Sequence, residues 1–271
     1  MKRRDFLLTV AAAGISIVGV SAFTLKTKAL IVYAGSVNIP PLEEIISEYS
    51  GDVKTVYGGS GNLLSQAIIS KKGDIYIPGS NEFMDLAIEK GAVYEESVRK
   101  LAYIIPVIVV KKDNPKNIKR LEDLVKDDVR LAIANPKSVA IGLYAVEMFE
   151  YNGLDVKKNI VAKTKSFSDL LTLLKTGVVD AIIGWNVAEV FSPDLKVIYP
   201  RPEEIPRVAC VEIGIMRFAE DVEKARDFLE FVYERRSIYE KYGFITSEKK
   251  LEELAPHAKV GGKFENNWKS L

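Results

Sequence analysis

The chain has 271 residues, of which 48% are hydrophobic and 28% are charged, with 38 Lys and Arg against 37 Asp and Glu. This length allows a well-buried core and two modest domains, and the balanced charge argues against nucleic acid as a partner, because that would need a basic face. The single cysteine, Cys210, excludes an internal disulfide, and the single histidine, His257, argues against a His-based catalytic triad or a multi-His zinc site.

Residues 1–28 carry the features of an export signal rather than those of a globular fold. Lys2, Arg3 and Arg4 precede an apolar run that continues to about Phe23. A basic start before a short apolar segment is typical of a secretory signal peptide, and the paired arginines indicate the twin-arginine route. The alternative is an uncleaved membrane anchor, since the run is near the lower limit for a span. In either case we expect a periplasmic or cell-surface location, outside the cytoplasm.

The next segment alternates apolar runs with helical patterns. Residues 29–33 form a continuous apolar run, as expected for a strand buried on both faces, and Gly35 and Ser36 lead from it into a helix opened by Pro40 and Pro41. This alternation predicts an α/β fold in which each domain is a mostly parallel sheet flanked by helices.

A glycine-rich turn forms the second connection from strand to helix. Gly58, Gly59, Ser60 and Gly61 lie between the β-like run 53–57 and a helical pattern. The first N–H groups of a helix have no partner within it and carry partial positive charge, so such a turn suits an anion. The glycines would let a ligand approach the backbone closely, and the Ser60 hydroxyl adds a donor. The alternative is a simple helix cap, for which serine is favoured in its own right.

Two enzyme motifs are incomplete at this turn. The nucleophile elbow needs a glycine where Asn62 stands, and the dinucleotide-binding fingerprint lacks its third glycine, where Leu64 stands. The chain also shows no pairing of a base with a nucleophile and no cofactor motif. We therefore expect neither catalytic residues nor a cofactor.

The remainder of the chain repeats the same plan. The long apolar run 101–110 precedes the strand-like runs 131–134, 178–185 and 208–216, with helical patterns between them. Asn81 is predicted to cap one helix of the first half.

In the second half, Ser166 with Asp169 three residues later resembles a capping box. We predict domain I from residues 29–105 together with 206–271, and domain II from residues 106–205.

Four short motifs occur in a fixed order along residues 29–240. They are VYAGS at 32–36, GSG at 59–61 with Gln66, NPKSV at 135–139 with Gly142 and Tyr144-Ala145, and DAIIGW at 180–185. Taken together, this ordered set resembles the periplasmic molybdate-binding proteins of ABC transporters. The resemblance implies a two-domain periplasmic-binding-protein fold that holds a tetrahedral oxyanion in the cleft between the domains.

The resemblance also implies that neutral hydrogen-bond donors hold the anion. The hydroxyl donors would be Ser36 and Ser60, and the backbone N–H donors would come from Ile141 and Phe167. Trp185 stands where members of the family place a tyrosine; its indole N–H can donate but cannot accept. The alternative for Trp185 is core packing.

No direct metal ligand is implied, since the metal atom of the oxyanion would be held only through its oxygens by Ser36 and Ser60. A tungstate-binding branch of the family adds two carboxylates, whose places here show Asn135 and Gly184-Trp185-Asn186, with Glu189 displaced from them. We therefore expect binding without carboxylates.

The predicted function is that of the extracellular solute-binding component of an ABC transporter that captures molybdate or tungstate. The alternative is a binding protein for another small oxyanion such as sulfate or phosphate. The implied partners are the small oxyanion and the permease and ATPase subunits of the transporter. We expect a monomer that binds no nucleic acid, with membrane anchoring only if the N-terminal segment is retained.

Overall fold

A computed structural model describes residues 28–262 and 264, which form two β-sheets with helices packed on their faces. The predicted export signal lies outside the described residues, except for Lys28. Among the helices of the described part of the chain, none has both the length and the apolar character needed to cross a bilayer.

Strands and helices alternate over most of the chain, as the apolar runs predicted. In chain order the strands are β1 (Leu30–Gly35), β2 (Val53–Gly58), β3 (Ile75–Ile77), β4 (Arg99–Ile104), β5 (Pro106–Lys111), β6 (Leu131–Ala134), β7 (Ile160–Thr164), β8 (Ala181–Trp185), β9 (Leu195–Ile198), β10 (Arg207–Ile215) and β11 (Lys259–Val260). The α-helices are α1 (Ile39–Ser47), α2 (Ser60–Ser70), α3 (Asn81–Glu89), α4 (Ala140–Tyr151), α5 (Phe167–Lys175), α6 (Ala188–Phe191), α7 (Val222–Glu234), α8 (Ile238–Lys241) and α9 (Glu248–Leu254).

The first sheet combines strands from both ends of the described chain. Its order is β11-β10-β3-β1-β2, and β4 pairs with β10. β1 is parallel to β2 and β3, whereas β10 runs antiparallel to β3 and β4. The carboxyl ends of β1, β2 and β3 therefore lie at one edge of the sheet, which is where open α/β sheets bind ligands.

The second sheet uses only strands from the middle of the chain, in the order β7-β6-β8-β5-β9. β6 is parallel to β7 and β8, and β5 is antiparallel to β8 and β9. We call the first sheet with residues 28–104 and 207–264 lobe I, and the second sheet with residues 106–198 lobe II. The domain limits predicted from the sequence stay a prediction.

The apolar run 101–110 is divided between the two sheets. β4 ends at Ile104 in lobe I, and β5 begins at Pro106 in lobe II, with Ile105 between them. Proline has no N–H to donate to a strand ladder, so the first residue of a strand is one of the few places where a sheet tolerates it. Pro106 thus marks the change of sheet.

Local signals at two helix starts had different outcomes. The predicted cap at Ser166 is confirmed, because its Oγ accepts a hydrogen bond from the Asp169 N–H at 3.1 Å. The predicted cap at Asn81 is wrong: Asn81 is the first residue of α3, and its Oδ1 accepts from the Cys210 N–H of β10 at 3.2 Å. The side chain cannot cap the helix because it is buried against β10, where it accepts the hydrogen bond from the Cys210 backbone.

One buried carboxyl group lies within the first sheet. Glu212 of β10 is only 8% exposed and lies opposite Lys100 of β4, where the strand register shifts. Burial, together with the negative charge of Asp85, raises the pKa of Glu212 to about 7, although Lys100 opposes the rise.

We expect the free energy of unfolding to fall as the pH rises from about 4.5, the ordinary pKa of glutamate, to about 7. The folded-state pKa exceeds the unfolded one, so across this interval the folded protein binds the extra proton and loses stability as that proton leaves; the loss is at most about 3 kcal/mol. Urea titrations at several pH values should show a flatter decline for Glu212→Gln than for the wild type. Equal pH slopes would contradict the assignment to Glu212.

Candidate functional site

A small cavity lies between the two lobes at the carboxyl edge of β1, β2 and β3. Twelve of the described residues line it, and none of these has an ionisable side chain. Lobe I contributes Gly35, Ser36, Val37, Gly58, Gly59, Ser60 and Gly79, and lobe II contributes Val139, Ala140, Ile141, Phe167 and Trp185.

The structure brings together at this cavity all five residues named from the sequence, which are Ser36, Ser60, Ile141, Phe167 and Trp185. That they bind an anion stays a prediction. The sequence analysis missed Gly79, although Gly79 follows β3 as Ser36 follows β1. The rule that ligands bind at the carboxyl ends of parallel strands could have identified it.

Three helices begin at the cavity. Ser60 is the first residue of α2, Ala140 the first of α4 and Phe167 the first of α5. Each start brings N–H groups that have no acceptor within the helix, together with the positive end of the helix dipole. Although none of the lining residues is cationic, the cavity therefore has an electrostatic preference for an anion.

The Ser60 hydroxyl is held by a neighbouring loop. Its Oγ accepts a hydrogen bond from the Gly79 N–H at 2.9 Å, and its carbonyl accepts one from the Tyr76 hydroxyl at 2.9 Å. The N-cap residue of α2 is Gly59, so the interpretation of Ser60 as a helix cap is wrong. Because a hydroxyl has one hydrogen and two lone pairs, accepting from Gly79 leaves the hydrogen of Ser60 available to donate.

Ser36 bridges the two lobes at the cavity. Its Oγ accepts from the N–H of Ser168, in the first turn of α5, at an N–O distance of 3.4 Å. This distance exceeds the usual range for an N–H···O bond, so the contact is weak. An ionised oxygen would be a stronger acceptor for the same N–H group.

The cavity is narrow and partly open to solvent. The space open to the centre of a water-sized sphere is about 10 Å³, which is close to the minimum for one ordered water. A tetrahedral oxyanion is larger than this, so a wider cavity would be needed to hold one.

Trp185 forms one wall of the cavity and is also packed in the core. It ends β8, is 1% exposed, and its ring meets that of Tyr144 edge to face at a centroid distance of 5.1 Å. The two interpretations given for Trp185 are therefore compatible.

Behind this wall, a hydrogen bond joins the lobes. The Tyr144 hydroxyl of α4 lies 2.8 and 2.7 Å from the two carboxylate oxygens of Glu82 in α3. Burial raises the pKa of Glu82, and the hydrogen bond from Tyr144 opposes that rise.

The carboxylate considered from the sequence does not line the cavity. Glu189 is exposed, and its Oε1 accepts from the Val197 N–H at 2.7 Å. Asn135 uses its Oδ1 to accept from the Lys137 N–H in its own loop. In the described residues, no group of three or more His, Cys, Asp or Glu side chains is placed to hold a metal ion. Binding of an oxyanion without carboxylates stays a prediction.

A comparison with known families finds one match over most of the chain. The model of the family described as bacterial extracellular solute-binding protein matches residues 30–245. Relatives by sequence include a putative binding protein of Haemophilus influenzae, 28% identical over 222 residues that span 78% of this chain and 87% of that protein. The molybdate-binding protein ModA of Escherichia coli is 22% identical over 254 residues, spanning 89% of this chain and 98% of that protein. The resemblance to molybdate-binding proteins stated from the sequence is therefore confirmed.

Solved structures with the same fold include binders of different anions. The periplasmic molybdate-binding protein of Azotobacter vinelandii has a TM-score of 0.69 at 15% identity, covering 81% of this chain and 100% of that one. The sulfate-binding protein SubI of Mycobacterium tuberculosis also has a TM-score of 0.69 at 15% identity, covering 86% of this chain and 92% of that one. These likenesses confirm the predicted two-lobed α/β fold.

We expect Tyr144→Phe to lower the free energy of unfolding by about 1–3 kcal/mol, because it removes the donor that contacts both oxygens of a half-buried carboxylate. Tyr151→Phe is the matched control, since Tyr151 lies on the same helix and is 62% exposed; its effect should stay within about 0.5 kcal/mol. Urea unfolding of both variants measures the difference. Equally small effects would mean that the bond to Glu82 contributes nothing to stability.

Proposed function

Since this chain belongs to the family of bacterial extracellular solute-binding proteins, we propose that it is the solute-binding component of an ABC transporter and that it captures molybdate or tungstate. The observation that carries this proposal is the convergence of three helix N-termini and two serine hydroxyls on a cavity whose described lining has no charged side chain. A relative of nearly the same extent in Escherichia coli that is named a molybdate-binding protein supports the choice of ligand.

An array of neutral donors suits a fully deprotonated dianion. Molybdate and tungstate offer only acceptors at neutral pH, so every N–H and O–H that lines the cavity can be satisfied. A fixed lysine or arginine would attract many anions with little discrimination, whereas dipoles at fixed positions select by size and geometry. Without such a charge, the site can also release its ligand to the transporter.

Sulfate is the second candidate ligand. The ring of Trp185, which is bulkier than the tyrosine that the family places there, forms one wall of the cavity, and this favours a smaller oxyanion. A sulfate-binding protein with the same fold supports this alternative. Phosphate fits less well, because at neutral pH it carries a proton and needs an acceptor, whereas the three helix N-termini at the cavity supply donors.

We propose that the protein is a binder and not an enzyme. Ser36 and Ser60 are the hydroxyl-bearing side chains among the described lining residues, and that lining includes no base that could activate either of them. The proposed partners are the permease and ATPase subunits of a transporter. A periplasmic or cell-surface location, a monomeric state, export through the twin-arginine signal and anchoring by a retained N-terminal segment are further parts of the proposal.

Isothermal titration of the full chain with molybdate, tungstate, sulfate and phosphate in turn tests the proposal. We expect tight binding of the first two and much weaker binding of phosphate, because an array made mainly of N–H and O–H donors favours a proton-free dianion. Ligand-dependent thermal unfolding gives an independent measurement, since a bound anion stabilises in proportion to RT ln(1 + [L]/Kd). Binding of sulfate alone would transfer the proposal to the second candidate, and binding of none of the four would overturn it.

We expect Ser60→Ala to weaken molybdate binding at least about tenfold, because a lost hydrogen bond to a charged group costs about 1.5–3 kcal/mol. Ser65→Ala is the matched control: Ser65 lies on the same helix, is exposed, and donates to the Gly61 carbonyl rather than toward the cavity. Titration calorimetry on both variants measures the effect. If Ser60→Ala bound molybdate as tightly as the wild type, Ser60 would not be a ligand of the anion.

A further inference from the structure

We infer that Gly59 controls closure of the two lobes, because only a residue without a Cβ lets the N-terminus of α2 reach lobe II. This inference rests on the proposed function, because closure of the lobes is the event that would capture the ligand. The sequence predicts that the glycines of the turn 58–61 let a ligand approach the backbone closely; the role inferred for Gly59 is a different one.

The space around Gly59 is occupied by the opposite lobe. A Cβ built on this residue would lie 2.5 Å from the Lys165 carbonyl oxygen, 2.9 Å from the Ser138 carbonyl oxygen and 2.9 Å from Cγ2 of Val139. All three atoms belong to lobe II, and two of them are backbone atoms that cannot rotate away. Distances below 3.0 Å to such atoms require the backbones to separate.

Other reasons for a glycine at this position do not apply. The backbone of Gly59 has φ −73° and ψ 134°, an extended conformation open to any residue. The three atoms nearest to the added Cβ all belong to lobe II. The steric conflict with these three atoms therefore arises when the lobes are together.

The approach that Gly59 permits is used by two hydrogen bonds between the lobes. The Gly61 N–H donates to the Ser138 carbonyl at 2.9 Å, and Nδ2 of Asn62 donates to the Lys165 carbonyl at 3.3 Å. The acceptors are the same two carbonyls that surround Gly59. We call Gly59, Gly61 and Asn62 of lobe I, with Ser138 and Lys165 of lobe II, the latch.

The latch adjoins the proposed anion site on both sides. In lobe I, Gly59 and Gly61 flank Ser60; in lobe II, Ser138 and Lys165 lie within two residues of the starts of α4 and α5. Closing the latch therefore sets the distance between the N-terminus of α2 and those of α4 and α5. If the latch cannot close, the donors of the two lobes cannot reach one anion together.

Gly59 is the position at which this idea can be tested cleanly. At Gly61, an added Cβ would meet Cε1 of Phe83 at 2.8 Å as well as Ser138, so a substitution there would also disturb lobe I. At Gly58, an added Cβ would meet only the Leu63 side chain, at 3.4 Å or more, which is ordinary contact within lobe I. Gly58→Ala thus adds the same methyl group one residue away without blocking closure.

The experiment measures the distance between the lobes in the full chain. Spin labels are placed on cysteines introduced at the exposed residues Lys54 of β2 and Lys175 of α5. Cys210 should not be labelled, because it is 1% exposed and burial raises the pKa of its thiol. Electron–electron double resonance is recorded without ligand and with saturating molybdate or sulfate, and titration calorimetry is run alongside.

We expect the wild type to populate a short distance, and Gly59→Ala to reduce that closed fraction at least about tenfold and to weaken anion binding in proportion. In the ligand-free protein, Gly58→Ala should close as the wild type does; its anion affinity is not a control, because Gly58 lines the cavity. Asn62→Ala removes one hydrogen bond but adds no atoms, so it should retain most of the closed fraction. The far-ultraviolet circular dichroism of ligand-free Gly59→Ala should match that of the wild type, which shows that the variant folds; its thermal midpoint should fall, because contacts between the lobes such as Tyr144–Glu82 are lost with closure.

Closure of Gly59→Ala to the wild-type distance, with the wild-type closed fraction, would overturn the inference. So would a wild type that shows no short distance under any condition. If none of the anions binds, the proposed function fails, yet the ligand-free closed fractions of the wild type and Gly59→Ala still decide whether Gly59 controls closure.

Discussion

The proposed site depends on helix N-termini, whose first N–H groups have no acceptor within their own helix. Three helices, α2, α4 and α5, begin at the cavity and leave donors that the helices themselves cannot satisfy. Parallel strands make this possible, since the helix that follows each strand starts at the same edge of the sheet. The surrounding loops hold the three helix starts close together, and none of the described residues that line the cavity has a charged side chain.

The glycines around the cavity show how tightly its backbone is packed. A Cβ on Gly35 would lie 2.8 Å from the Gly79 nitrogen, and one on Gly142 would lie 2.4 Å from the Ala134 carbonyl oxygen. Neither glycine has a positive φ. They are required because loops meet backbone to backbone, first within each lobe and then, at Gly59, between the lobes.

Charged groups are kept behind the cavity wall and compensate one another there. Arg207 is 3% exposed; its guanidinium pairs with Glu147 of α4 at 2.7 Å and lies over the ring of Phe264 at 4.3 Å. Glu82 and Tyr144 are hydrogen-bonded nearby. A buried charge that lost its partner would be costly. The pair of Arg207 in β10 with Glu147 in α4 therefore holds lobe I and lobe II together, while the described lining of the cavity has no charged side chain.

The sequence by itself determined the alternation of strands and helices, the resemblance to one family and the five residues that the structure brings to the cavity. The alternation follows from local patterns, because burial, turn residues and helix starts are encoded by neighbouring positions, whereas the five residues as a set were implied by the resemblance to the family. Tertiary structure decided what Asn81 bonds to and why a side chain at Gly59 would meet the opposite lobe. Both depend on contacts between segments that are far apart in the chain. No local sequence pattern records such contacts.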